Sequence, residues 1–266
     1  MFELIEKGDL KYYSVSSFEK SGAVRHGFST RLGGVSEGCY FSMNLRSHSG
    51  DDWNNVLENF RIISDALGID RDRLVLSKQV HEDKVIDVDE TNMGNGILYE
   101  NKFTSADALI TNKKNVPIAV FSADCVPVLF LDSKNSVIAA AHSGWRGTVK
   151  RIAQKTAEKM IHEYGANPED ILVAIGPSIQ EDCFEVGDDV ADIFINEFGA
   201  DTAKKYGDRY HVSMQKAIIK QLTQTGIPAK NIDNSGICTA CNTDLLYSHR
   251  KMGNERGNLG VFIELV

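Results

Sequence analysis

Three side chains of this 266-residue chain combine donor chemistry with a suggestive position: His81 in Gln79-Val-His81, Cys125 in Ala123-Asp-Cys125, and His142 in Ala141-His-Ser-Gly-Trp-Arg-Gly147. Each stands beside an apolar run that reads as a strand, so strand ends would present them. A thiolate with two neutral imidazoles is a good zinc ligand set, and three protein ligands leave the fourth tetrahedral position open, as in catalytic sites. The spacings of 44 and 17 residues match no short metal signature. A buried cysteine with two hydrogen-bonded histidines is therefore the competing reading. Local context favours the metal. Cys125 follows Asp124 at a break between apolar runs, where a core-filling residue needs no acidic neighbour, and His142 ends a strand rather than lying inside one.

The segment His142-Ser-Gly-Trp-Arg-Gly-Thr148 runs from a strand into a helix, so its glycines could expose backbone N–H groups at a positive helix end. Arg146 could pair there with a phosphate in bidentate fashion. Arg31 and Arg61 are further arginine candidates, with a solvated surface role as the alternative for each. Cys238-Thr-Ala-Cys241 is a Cys-x-x-Cys that could serve redox chemistry or half a structural zinc site, although no second pair completes four ligands. Cys39 and Cys183 have no assignment, and His26, His48, His162, His211 and His249 read as structural or exposed.

The elements that must position these groups are legible in part. Val24 to Thr30 reads as a strand running into the Gly33-Gly34 turn. A helix starts at Asp51 or Asp52, presents Trp53, Val56, Leu57, Phe60, Ile63 and Leu67 at helical spacing, and stops at Gly68. Leu74 to Leu76 and Val85 to Val88 are short strands flanking Gln79-Val-His81, and Asp89 to Ser105 reads as a mobile loop. Residues 108–111, 117–121, 126–131 and 137–141 are mostly unbroken apolar runs, the pattern of strands buried on both faces. A helix over 149–164 ends at Gly165, and 171–175 is another buried strand. Further helices span 189–198 and 213–225, before a terminal strand over 260–265. Strands and helices mix without regular βαβ alternation, which predicts an α+β fold. No linker or repeat marks a boundary, so one domain over 1–266 is expected.

Composition limits the function classes. The hydrophobic share of 42% and charged share of 25% exclude a collagen-like or disordered chain. A net charge of −8 argues against nucleic acid as a partner. No apolar run reaches the roughly 18 residues of a membrane span. The start of the chain lacks a signal-peptide pattern, and five cysteines, an odd number, suit a reducing compartment. A cytoplasmic protein is the expectation.

Read together, several fragments form an ordered set. They include His26-Gly-Phe-Ser-Thr-Arg-Leu-Gly-Gly-Val-Ser36, Asn44-Leu45, Gln79-Val-His81, Asp107-Ala-Leu, Ala123-Asp-Cys-Val-Pro-Val128, Ala141-His-Ser-Gly-Trp-Arg-Gly-Thr148, Ile175-Gly-Pro-Ser-Ile179, Glu185-Val-Gly187 and Cys238-Thr239. The set resembles the laccase-domain (multicopper polyphenol oxidoreductase-like) purine nucleoside phosphorylase family, most of all its bacterial YlmD and YfiH branch. The resemblance implies a single-domain αββα layered sandwich with mixed sheets, and a zinc held by His81, Cys125 and His142. It also implies phosphorolysis of adenosine, inosine, guanosine and methylthioadenosine, with adenosine deamination at the same site, so purine nucleosides and inorganic phosphate are the implied partners. Copper oxidase chemistry fits less well, because a multicopper centre needs more histidines in paired motifs than seven scattered ones. Within this reading Arg61 and Arg146 are phosphate candidates and Asp124 a proton-transfer or ligand-orienting residue. Arg31 and Asn44 are further substrate contacts. Arg46 and Glu255-Arg256-Gly257-Asn258 depart from the family pattern, and Arg46 could add a phosphate contact. A cell-wall precursor amidohydrolase using the same zinc, and a non-catalytic metal- or partner-binding protein, are the alternatives.

Overall fold

The computed structural model describes residues 1–46 and 50–266, and His48 lies outside them. The chain folds into two six-stranded sheets. The first has, in spatial order, Phe2–Lys7 (β1), Leu10–Val15 (β2), Val24–Ser29 (β3), Leu259–Leu265 (β15), Ile118–Ser122 (β7) and Val75–Leu76 (β4). The second has Ile232–Asn234 (β14), Leu172–Ile175 (β10), Val126–Asp132 (β8), Val137–Ser143 (β9), Ala108–Thr111 (β6) and Val85–Asp87 (β5). A small third sheet joins Glu185–Val186 (β11), Arg209–Val212 (β13) and Ala203–Tyr206 (β12). Most neighbours are antiparallel, but β4–β7, β5–β6 and β10–β14 are parallel, so both large sheets are mixed.

The apolar runs explain the layering. Every residue of β8 is buried, and its side chains sort by parity. Val126, Val128 and Phe130 join the cluster containing the helices Ile152–Tyr164 (α4), Asp188–Phe198 (α5) and Met214–Gln224 (α6). Leu129 and Leu131 instead meet Phe28, Val120 and Ile263 of the first sheet. On the outer side of that sheet, Phe262 packs with Val56, Phe60 and Ile63 of the helix Trp53–Leu67 (α2). The order is helix, sheet, sheet, helix, the expected αββα sandwich.

Local chemistry fixes most element ends. The Asp52 side chain accepts from the Asn54 N–H at 2.9 Å to cap α2, and Gly68 at φ 72° closes it. The helix expected over 149–164 is divided. A short helix Trp145–Val149 (α3) and α4 flank Arg151, which takes a left-handed φ of 65°. The opening strands β1 and β2, the helix Ser16–Ser21 (α1) that follows them and the turn-like helix His249–Met252 (α7) carry too little apolar periodicity to be read in advance. The segment expected to be a mobile loop is tied down, since Asn101 Nδ2 donates to the Leu76 and Ser77 carbonyls at 3.0 and 3.1 Å.

One core histidine makes stability pH-dependent. His26 has no exposed side-chain surface and accepts the Val15 N–H at Nε2, 2.9 Å away. Burial holds its pKa down at about 4, against the opposing pull of Glu19. Because the folded pKa lies below the unfolded value of 6.5, the contribution is fully present above 6.5 and is lost as pH falls toward 4, up to about 3 kcal/mol. Urea midpoints at pH 7 and pH 4.5 should therefore fall further for the wild type than for His26→Gln. Equal falls would place the acid sensitivity elsewhere.

Candidate metal centre

The chain passes between the two large sheets near the site, and these passages position two of the three donor residues. The segment Ala123–Cys125 carries it from β7 of the first sheet to β8 of the second, with Asp124 at a φ of 94°. The β4–β5 connection carries it across again through His81, at φ 62°. His142 comes from β9, where it pairs in register with Pro127. His81, Cys125 and His142 bring one donor atom each to within 4.8 Å of the others. The two imidazole rings meet edge to face at 4.9 Å.

Asp107, just before β6, organises the set. Its fully buried carboxylate accepts the backbone N–H groups of Val80, His81 and Glu82, each at 3.0 Å, and lies 3.0 Å from His142 Nδ1. The three amides hold the left-handed turn at His81. The contact to Nδ1 keeps that nitrogen protonated and orients the ring, the usual arrangement of a ligating histidine. Burial alone would raise the Cys125 thiol, but His142 and His81 beside it hold its pKa down at about 6. Burial likewise opposes charge on His142, yet Cys125 and Asp107 push it up to about 9. The cysteine is thus held as a thiolate, the form that binds metal.

The backbone also makes room. A Cβ at Gly144 would lie 2.9 Å from His81 Nδ1 and 3.0 Å from Cys125 Sγ. Only glycine lets the main chain come this close to the donors, and the donor set fits a metal ion there.

The other candidates are placed differently. Asp124 accepts at Oδ1 from the Thr239 hydroxyl and at Oδ2 from the Arg250 N–H, both at 2.6 Å. It locks the crossover before Cys125. Arg61 lies exposed on α2, its guanidinium paired with Glu58 and Asp65 at 2.6 and 2.7 Å. Arg31 donates to the Phe41 and Thr243 carbonyls at 3.0 and 2.8 Å and lies over the Tyr247 ring. Arg146 is exposed on the five-residue α3, its guanidinium 4.3 Å from the Trp145 ring centre. Asn44 is buried and positions backbone, its Oδ1 accepting the N–H groups of Arg46 and Asn258.

That join between residues 44–46 and 256–258 creates what the sequence reading did not assign, a convergence of two arginines. Arg256 is half-buried, and its Nε has no hydrogen-bond partner among the described residues. Burial and the nearby Arg46 pull its pKa below the ordinary arginine value, opposed by the negative charge of Asp124 and Cys125. Arg46 and Asn258 also line a cavity of about 580 Å³ with Trp53, Gln79, Tyr99 and Phe121. This volume suits a small-molecule site, for which roughly 300–1,000 Å³ is usual. The cavity wall does not include the three donor residues, but Gln79 lies two residues before His81 and Phe121 four before Cys125. In the sequence, 131 residues separate Arg256 from Cys125, and the one available signal was its place in the departing C-terminal segment.

Residues 25–266 match the family model described as multi-copper polyphenol oxidoreductase laccase, and the chain belongs to this family. It is 34% identical over 241 residues to the purine nucleoside phosphorylase YlmD of Bacillus subtilis (strain 168), covering 89% of this chain and 87% of the relative. It is 36% identical over 246 residues to the adenosine deaminase RL5 of an unknown prokaryotic organism, covering 90% and 94%. The crystal structure of the hypothetical protein YfiH from Bacillus licheniformis matches with a TM-score of 0.92 at 30% identity, over 100% of this chain and 99% of that one. The curated relatives are named as enzymes, and this chain is an enzyme of the same family. Among the described residues no helix is long and apolar enough to cross a membrane.

Proposed function

We propose that the protein is a zinc-dependent purine nucleoside phosphorylase that also deaminates adenosine, with all 266 residues serving one catalytic unit in the cytoplasm. The nearness of Arg256 both to Arg46 and to Cys125 carries the phosphorolysis reading. An anion bound between two half-buried guanidiniums would gain charge-assisted hydrogen bonds from both. Inorganic phosphate is the anion proposed. The deaminase activity rests on the likeness to RL5, and five free thiols support the compartment.

His81, Cys125 and His142 would hold the zinc, which would supply Lewis acidity when bound. Asp107 fixes the His142 ring, while Gly144 leaves space beside the donors. In phosphorolysis, a phosphate oxygen bonds to C1′ of the ribose as the bond from C1′ to the purine nitrogen breaks. The products are ribose 1-phosphate and the free base, with the phosphate's proton passing to the base. The role of Arg46 and Arg256 is to orient the phosphate against C1′ and neutralise its charge. The cavity beside them, with Trp53, Tyr99 and Phe121, would receive the purine and exclude water. Inosine, adenosine, guanosine and methylthioadenosine are the substrates proposed. One thiolate with two imidazoles suits zinc better than a multicopper array, which needs more histidines than this donor set supplies.

Assay of inosine with and without phosphate tests this reading. Hypoxanthine and ribose 1-phosphate should form only with phosphate. Arg256→Ala should raise the KM for phosphate roughly tenfold or more, the effect of losing about 1.4 kcal/mol or more of a charge-assisted contact, without lowering metal content. Arg146→Ala, on the exposed helix, is the comparison. Free ribose released at the same rate without phosphate would make the protein a hydrolase.

A further inference from the structure

A second cluster of donor side chains lies apart from the centre just described. Cys183 ends the turn Glu181–Cys183, and Cys238 and Cys241 come from the loop after β14, yet their three sulfurs lie within 4.8 Å of one another. An isolated bridge between Ser178 and Cys238 joins the two segments. Cys238 is buried, Cys183 half-buried and Cys241 exposed. The three cysteines open on a cavity of about 430 Å³, which Gln180, Ser213 and Lys216 also line.

We propose that Cys183, Cys238 and Cys241 form a second metal site, an all-thiolate one that takes a soft, closed-shell divalent cation such as zinc or cadmium. Metal–sulfur bonds of roughly 2.3 Å in tetrahedral geometry put sulfurs about 3.8 Å apart, a spacing these side chains reach with small rotations. Cys183 and Cys241 lie 3.3 Å apart, well beyond the roughly 2.05 Å of a disulfide. Three thiolates suit a soft cation and are poor ligands for magnesium or calcium.

One backbone donor faces the sulfurs, and two cationic side chains lie near the segment. The Gln180 backbone N–H donates to Cys238 Sγ at 3.4 Å. Arg250 donates to the Cys183 carbonyl at 3.1 Å, and Lys216 is held nearby by Glu181 at 2.6 Å. Binding converts three thiols and one dication into the complex, releasing to solvent every proton the sulfurs still carry. The cavity leaves room beside the sulfurs for water or a small ligand to complete a shell.

Cadmium is the probe that tests the site on the full-length protein kept reduced, because its nuclear magnetic resonance separates a three-thiolate environment from one with a single thiolate and two imidazoles. The wild type should bind two cadmium ions per chain and give one resonance of each kind. Cys241→Ser, at the exposed position, should remove the thiolate-rich resonance and weaken uptake of that ion roughly 100-fold or more, leaving the other resonance in place. Cys183→Ser should do the same, and Cys125→Ser the converse. A wild type without the thiolate-rich resonance, or a thiolate-rich resonance that survives both Cys183→Ser and Cys241→Ser, would overturn the proposal. Neither result bears on phosphorolysis, which is read separately.

Discussion

Cys125→Ser should leave the protein folded but strip it of tightly bound metal and of activity. The thiolate supplies the negative charge and the soft donor of the set, and a serine hydroxyl at neutral pH supplies neither. The loss of metal affinity should exceed the roughly 10–100-fold typical of changes to partners that merely orient a ligand. Cys125 is one small residue at a crossover whose geometry is kept by Asp124, Thr239 and Arg250, so thermal unfolding of the metal-free forms should change little. Metal analysis after dialysis, paired with the inosine assay, reads the effect. A Cys125→Ser protein that keeps wild-type zinc and activity would put the ligands elsewhere.

Asp107→Ala should be the most damaging change outside the donor set, because one carboxylate has two tasks. It accepts three consecutive backbone N–H groups that shape the His81 turn and a fourth contact from His142 Nδ1. Removing it leaves several donors unmatched, one of them on a buried ring, at a cost of about 3 kcal/mol. The burial of Asp107 would raise its pKa, but the contact to His142 and the N–H groups of Val80 and Glu82 hold it below the usual carboxylate range. The group therefore stays ionised at neutral pH. Asp107→Asn separates the two tasks. It keeps much of the turn while losing the full charge against His142, so denaturant stability should recover more than zinc affinity does. Equal recovery of both would reduce Asp107 to a turn-former.

The sequence made the interior of the sheets legible because fully buried strands write themselves as unbroken apolar runs, as 126–131 and 137–141 do. Helix α2 was readable from its periodicity and from Asp52 and Gly68 at its ends. The β1–β2 hairpin was not, since Phe2–Lys7 alternates charges with apolar residues at an edge where little is buried. Nor was the division at Arg151, because a single left-handed residue leaves no trace in apolar spacing. The three donors were visible by chemical type at strand ends, and the family resemblance named them. Asp107 was visible only as a fragment of motif, although an acidic residue opening a buried strand always needs partners. Arg256 and Cys183 were hidden by distance along the chain, because their roles depend on which loops the two sheets bring together.

The Ala123–Cys125 crossover and the His81 turn are both places where the chain leaves one sheet for the other. An ion held by Cys125 and His81 together with His142 of β9 would thus rivet two passages that share the work of keeping the layers in register. Slippage of one sheet over the other would pull the donors apart, and any loss of a donor would free the layers to breathe at that seam. Catalytic competence and mechanical coherence would then be two faces of one equilibrium, with the wear of the enzyme beginning at the rivet rather than in the oily interior.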